Sequence, residues 1–203
     1  MSLFQSSPRV FDPTPYLNVN DDVDEPITTR DISDLIHETP FLGTSTLVNL
    51  NDHLPRHMHS VLPGTIIIFI HGACRGNGTE VAKGAYGVHF CQGSQYNQCG
   101  LVPANERQGS NAAVVYAAIK ALEIIEDVVG WDLVDNVILW THSAYLSRGL
   151  TEYAFLWEKN GYKDWNGDDV QNRLLLEKLN HMIKQASVEK RFETLFWPVP
   201  RAG

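Results

Sequence analysis

Cysteine is scarce in this chain of 203 residues: there are three, Cys74, Cys91 and Cys99. The count is odd and no two stand in a CxxC pair, which argues against a disulfide framework and for reduced thiols in a cytoplasmic compartment. No apolar run is long enough to span a membrane. The N-terminal stretch "MSLFQSSPRVFDP" lacks the apolar segment of a signal peptide, so no membrane association is expected. Basic residues are outnumbered, 16 Lys and Arg against 24 Asp and Glu, for a net charge of −8. General affinity for a phosphate backbone needs clustered cations, so this balance disfavours nucleic acid as a partner. No internal repeat is visible.

What is present reads as an ordinary globular chain, 43% hydrophobic and 20% charged, long enough for one domain with a real core. Residues 1–60 are rich in Pro, Asp, Asn and Thr and carry no long periodic element. They are expected to form an irregular N-terminal arm on or beside a domain at 61–203. From residue 65 the pattern sharpens. Thr65–His71 is a β-branched run suited to a buried strand. "GAYGVHFCQG" and "YNQCGLVP" suit two more strands, joined by short turns as an antiparallel meander. A helix follows, with Ser110 or Asn111 as its cap and an apolar stripe through Val114, Ala118, Leu122 and Ile125. "DNVILWTHSAYL" reads as a strand, 144–160 and 169–187 as helices, and "RFETLFWPVP" as a last strand. This order predicts an α/β fold with a mixed central sheet flanked by helices.

Several stretches together resemble the type 1 ribonuclease H family. "FIHGACRGNG" is similar to that family's "DGACxGN" opening, and "ILWTHSAYL" to its "TDSxY" strand. "QGSNAAVVYAAIKALEII" is similar to "TNNRAELxAxIxAL". "WEKNGYKDWNGDDVQNRLLLEKLNHMI" and the closing "FWPVPRAG" also follow the family's order. The match runs over roughly 65–201. It implies the ribonuclease H-like fold, with the family's C-terminal helix missing.

The resemblance also implies a site. In the family, four carboxylates hold two Mg²⁺ ions that cut the RNA strand of an RNA–DNA hybrid. Carried over singly, the first Asp falls on His71, the helix Glu on Val114 and the second Asp on His142. The fourth falls beyond Gly203. Imidazole is a poor Mg²⁺ ligand, so the expectation is a degenerate member with no cofactor and no active ribonuclease H chemistry. His71 and His142, at neighbouring strand tips, then become candidates for metal-independent acid–base catalysis. Val114, Cys74 and Asn111 are the expected pocket wall. A small organic molecule is the expected partner, undergoing cyclisation, isomerisation or dehydration. The alternative is a non-cleaving module that binds RNA–DNA hybrid or protein. Arg75, Asn77, Ser110 and Asn172 fall where the family touches nucleic-acid backbone or orders its loops. "HLPRHMH" brings His53, His57 and His59 together, but Pro55 and the lack of acidic or thiol neighbours favour a solvated loop over a zinc site.

Overall fold

The computed structural model describes residues 9–13, 34–39, 43–48, 62–129, 134–189 and 191–199. A seven-stranded sheet organises them: β1 (Ile36–Thr39), β2 (Thr44–Leu47), β3 (Thr65–Arg75), β4 (Lys83–His89), β5 (Gln98–Leu101), β6 (Asn136–Thr141) and β7 (Glu193–Pro198). β3, β4 and β5 form the expected antiparallel meander. β6 adds to β3, and β7 to β6, in parallel, which makes the sheet mixed. Parallel strands are covered on both faces, and the unbroken run Ile66–Ile70 at the centre is the sequence form that demands.

Among the described residues four α-helices accompany the sheet: α1 (Ser110–Ile124), α2 (Ala144–Arg148), α3 (Ala154–Asn160) and α4 (Arg173–Val188). Ile66, Ile68 and Ile70 of β3 join Val137 and Leu139 of β6 in the main core, beneath α1 and α4. Every residue of α1 from Ala112 to Leu122 is buried except Tyr116 and Lys120, so this helix is enclosed rather than merely striped. Gly72 fixes its height. A Cβ there would lie 2.2 Å from the backbone N of Val114, so the first turn of α1 rests directly on β3.

The opposite face of the sheet carries a smaller cluster. Ile67, Ile138 and Trp197 pack there against Phe11, Leu35, Leu47 and Val199. The arm expected to be irregular thus supplies β1 and β2, and β2 joins β3 at Ser45 and Ile67, below the point where β4 leaves at Phe69 and His89. Its first described segment is tied by the Phe11 N–H donating to Phe196 O at 2.9 Å and the Phe196 N–H to Arg9 O at 2.7 Å. Their short, polar-rich sequences, "IHET" and "TSTL", carry little local signal. Pairing with distant residues makes them strands.

Two further expectations change. Neither Ser110 nor Asn111 caps α1; Gly109 stands at the cap position, which supplies no side-chain hydrogen bond. The helix expected over 144–160 is split into α2 and α3 by a wide turn at Gly149–Tyr153. Ser143 caps α2, its Oγ accepting from the Leu146 N–H at 3.2 Å. The segment holding His53, His57 and His59 lies outside the described residues.

Candidate functional site

The two histidines of interest are not both at strand tips. β6 stops at Thr141, but β3 runs on to Arg75 because β4 keeps pairing with it, from Phe69 opposite His89 to Arg75 opposite Lys83. His71 therefore sits inside a strand, opposite Gly87. The parallel register pairs Phe69 with Trp140. Two residues further on, His71 follows this face along β3, and His142, just past the end of β6, lines the same cleft.

That face opens into a cleft of about 590 Å³, lined by Phe69, His71, Gly87, His89, Trp140 and His142, with Cys99 at its edge. Four of the rings form a chain of contacts. Phe69 and Trp140 have centroids 5.2 Å apart, Phe69 and His89 5.8 Å, and Trp140 meets His142 edge-on at 4.6 Å. His71 is exposed and His142 half-buried. His142 Nδ1 lies 3.0 Å from Val199 O. A carbonyl only accepts, so Nδ1 is a protonated nitrogen and the ring is held by the chain following β7. The indole Nε1–H of Trp140 is buried with no acceptor among the described residues.

The expected pocket wall is elsewhere. Val114 is 4% exposed and belongs to the main core, on the other side of β3. Cys74 and Asn111 are also absent from the cleft lining. The reason is parity: Gly72 faces Val114, so His71 faces away from it. His71, Val114 and His142 offer two imidazoles and an isopropyl group where the resemblance puts carboxylates. That set does not suit Mg²⁺, which takes oxygen ligands. Among the described residues, no three His, Cys, Asp or Glu side chains are placed to hold a metal ion.

A second site is polar. Asn77, Ser110 and Asn172, read from the sequence as backbone-binding candidates, line one cavity of about 200 Å³ together with Asn111, Arg107 and Gly109. Arg75 is not part of it. The loop carrying Arg107 is stapled by Gln108, whose Oε1 accepts from the Gly84 N–H at 2.8 Å while its Nε2 donates to Pro103 O and Glu106 O. Asn172 sits at φ 60°, a left-handed conformation that asparagine tolerates. Its Nδ2 donates to Tyr145 Oη at 3.2 Å, and Tyr145 Oη donates to Gln171 O at 2.6 Å. Burial pushes the Tyr145 hydroxyl pKa up, against the pull of Asn172 and Arg107. Asn172 Oδ1 is buried without a donor among the described residues. Arg107 was missed from sequence because a single loop cation has no periodic context. The aromatic row was missed because its members lie on three strands, and only their shared parity with His71 and His142 links them.

Comparison with known proteins bears on both sites. A family model described as RNase H matches residues 63–192. A ribonuclease H of Clostridium botulinum is 30% identical over 125 residues, covering 61% of this chain and 78% of that protein. Among solved structures, LC9-RNase H1, a type 1 RNase H with the type 2 active-site motif, superposes with a TM-score of 0.52 at 18% identity, over 71% of this chain and 66% of that one. LC11-RNase H1, solved in complex with an RNA/DNA hybrid, superposes with a TM-score of 0.45 at 21% identity, over 66% of this chain and 85% of that one. These findings overturn the expected partner. Relatives that are ribonucleases H point to nucleic acid, not to a small organic molecule. The net charge of −8 misled because it averages the whole surface, whereas backbone contact needs only a local group of suitable charge. No helix among the described residues is long and apolar enough to cross a membrane.

Proposed function

The chain belongs to the ribonuclease H family, and from that premise we propose that it binds the backbone of RNA–DNA hybrids without the family's metal-dependent cleavage. The observation that carries this reading is the convergence of Asn77, Arg107, Ser110, Asn111 and Asn172 on one small cavity at the N-terminus of α1. The first N–H groups of a helix have no intrahelical acceptor, and here no N-cap side chain among the described residues closes them. With the positive end of the helix dipole and the Arg107 guanidinium beside them, they form a cradle for a phosphate. The buried Asn172 Oδ1 asks for a donor, and the ribose 2′-hydroxyl of an RNA strand supplies one.

The absence of cleavage is supported by donor chemistry. The resemblance assigns the metals to carboxylates, and His71, Val114 and His142 stand at three of those positions. No catalytic step is assigned to them. Binding rests on few contacts and is therefore modest and salt-sensitive. Each phosphate neutralised contributes a slope of roughly −0.9 to −0.7 in log K against log salt.

Fluorescence anisotropy with a labelled blunt hybrid, at about 50 and 200 mM salt, tests the reading. The wild type should bind and weaken with salt. Arg107→Ala should bind less tightly and lose about one unit of salt slope. A wild type that does not bind, or an Arg107→Ala variant with unchanged affinity and slope, would show the reading to be wrong.

A further inference from the structure

The geometry points to a second nucleic-acid subsite: the aromatic cleft on the sheet face takes unpaired bases of a single strand. It takes from the preceding reading only that the ligand is nucleic acid. The cleft and the polar cavity share no lining residue.

Four observations converge. First, the face presents two rows across adjacent strands. Trp140, Phe69 and His89 are cross-strand neighbours in one row; His71, Gly87 and Cys99 form the next, with His142 lining the same cleft just past the end of β6. Bases stack on aromatic and imidazole faces irrespective of sequence, and sheet surfaces bearing such rings are a recurring platform for single strands. Second, the rings remain reachable: His71 and His89 are exposed, and Phe69, Trp140 and His142 are partly so. Third, Gly87 breaks the second row. It lies within a strand, where glycine weakens pairing, and commonly marks close approach of a ligand or another backbone. A Cβ at Gly87 would meet nothing within 4 Å, and its φ lies outside the left-handed region, so neither crowding nor backbone strain requires glycine there. What its missing side chain does is leave a gap between His71 and Cys99. Fourth, the cleft is about 590 Å³, within the range of small-ligand sites and ample for a nucleobase. A phosphate-seeking site would be lined by cations; this one contains no Lys or Arg among its described lining residues. Its chemistry favours the flat face of a base over the backbone.

The test uses a labelled RNA hexamer of adenosines and a labelled blunt hybrid, each titrated with the full chain. Gly87→Val fills the gap with a residue that strands favour and has room to stand, so the variant should fold with unchanged or raised thermal stability. It should bind the hexamer roughly 5- to 100-fold more weakly, the range expected when a stacking position is lost, and bind the blunt hybrid as the wild type does. His89→Ala removes an exposed ring without adding bulk and should weaken the hexamer in the same direction. If the wild type fails to bind the hexamer, or both variants bind it unchanged, the subsite does not exist, whatever the hybrid does. If the hexamer binds and responds to both variants while the hybrid does not bind at all, the subsite stands and the hybrid reading falls.

Discussion

Replacing Gly72 with alanine should damage the protein far more than a single methyl group suggests. The added Cβ would lie 2.2 Å from Val114 N, 2.6 Å from Ala113 C and 2.7 Å from Val114 Cα. These are backbone atoms of the first turn of α1, and no rotamer change can move them aside. Relief needs the helix to lift by roughly 1 Å, against a core packed too tightly to absorb it. Ala113, Val114, Val115 and Ala117 are buried in that turn and the next. Overpacking of this kind costs about 1–3 kcal/mol, and the backbone contact places Gly72→Ala at or above the upper end. For a domain of this size, about 3 kcal/mol lowers Tm by roughly 6–12 °C. The same shift displaces Ser110 and Asn111, so hybrid affinity should fall with stability. Gly87→Ala is the internal control. It adds the same methyl group to the neighbouring strand with nothing within 4 Å, and should be neutral or slightly stabilising. Thermal and urea unfolding of both variants decides the matter. Equal midpoints for Gly72→Ala and Gly87→Ala would refute the claim that α1 is seated on β3 by the missing side chain.

Two other outcomes follow from the same structure. Burial alone would raise the Glu123 pKa. Hydrogen bonds from Lys120 at 2.6 Å and from Lys178 of α4 at 2.8 Å outweigh it and hold the carboxyl below its ordinary range. A depressed carboxylate stabilises above its unfolded pKa of about 4.3, and the contribution is lost as pH falls through the lower folded value. Urea midpoints should thus drop on acidification below about pH 5, and Glu123→Gln should flatten that part of the profile; an unchanged profile would remove Glu123 as its source. Ser143→Ala should cost about 1 kcal/mol, because the Leu146 N–H loses its cap, and an unchanged unfolding midpoint would count against that role.

The buried half of the fold was legible because it is written in local pattern. The run Ile66–Ile70 and the buried positions of α1 have one structural solution each. The extension of β3 from His71 to Arg75 was not legible, since those residues are polar or small and their strand state comes from β4 opposite them. The same holds for β1 and β2, which exist through pairing across the chain. At the site, Asn77, Ser110 and Asn172 line one cavity, Arg75 does not, and Asn111, expected in the wall of the histidine pocket, lines that cavity instead. That Val114 and His71 face opposite sides of β3 required the contact between Gly72 and α1, which sequence spacing alone does not reveal. Phe69, His89 and Trp140 are scattered in sequence, and only the strand register gathers them.

The most direct measurement is a single reaction in which a hybrid labelled on its RNA strand is held at saturating protein with Mg²⁺ or Mn²⁺ and sampled for both binding and length. The bound strand should stay full-length in either metal, with binding unchanged by EDTA, as a cleavage-free hybrid binder requires. Metal-dependent shortening of the RNA strand by rigorously purified protein, abolished by EDTA, would contradict it.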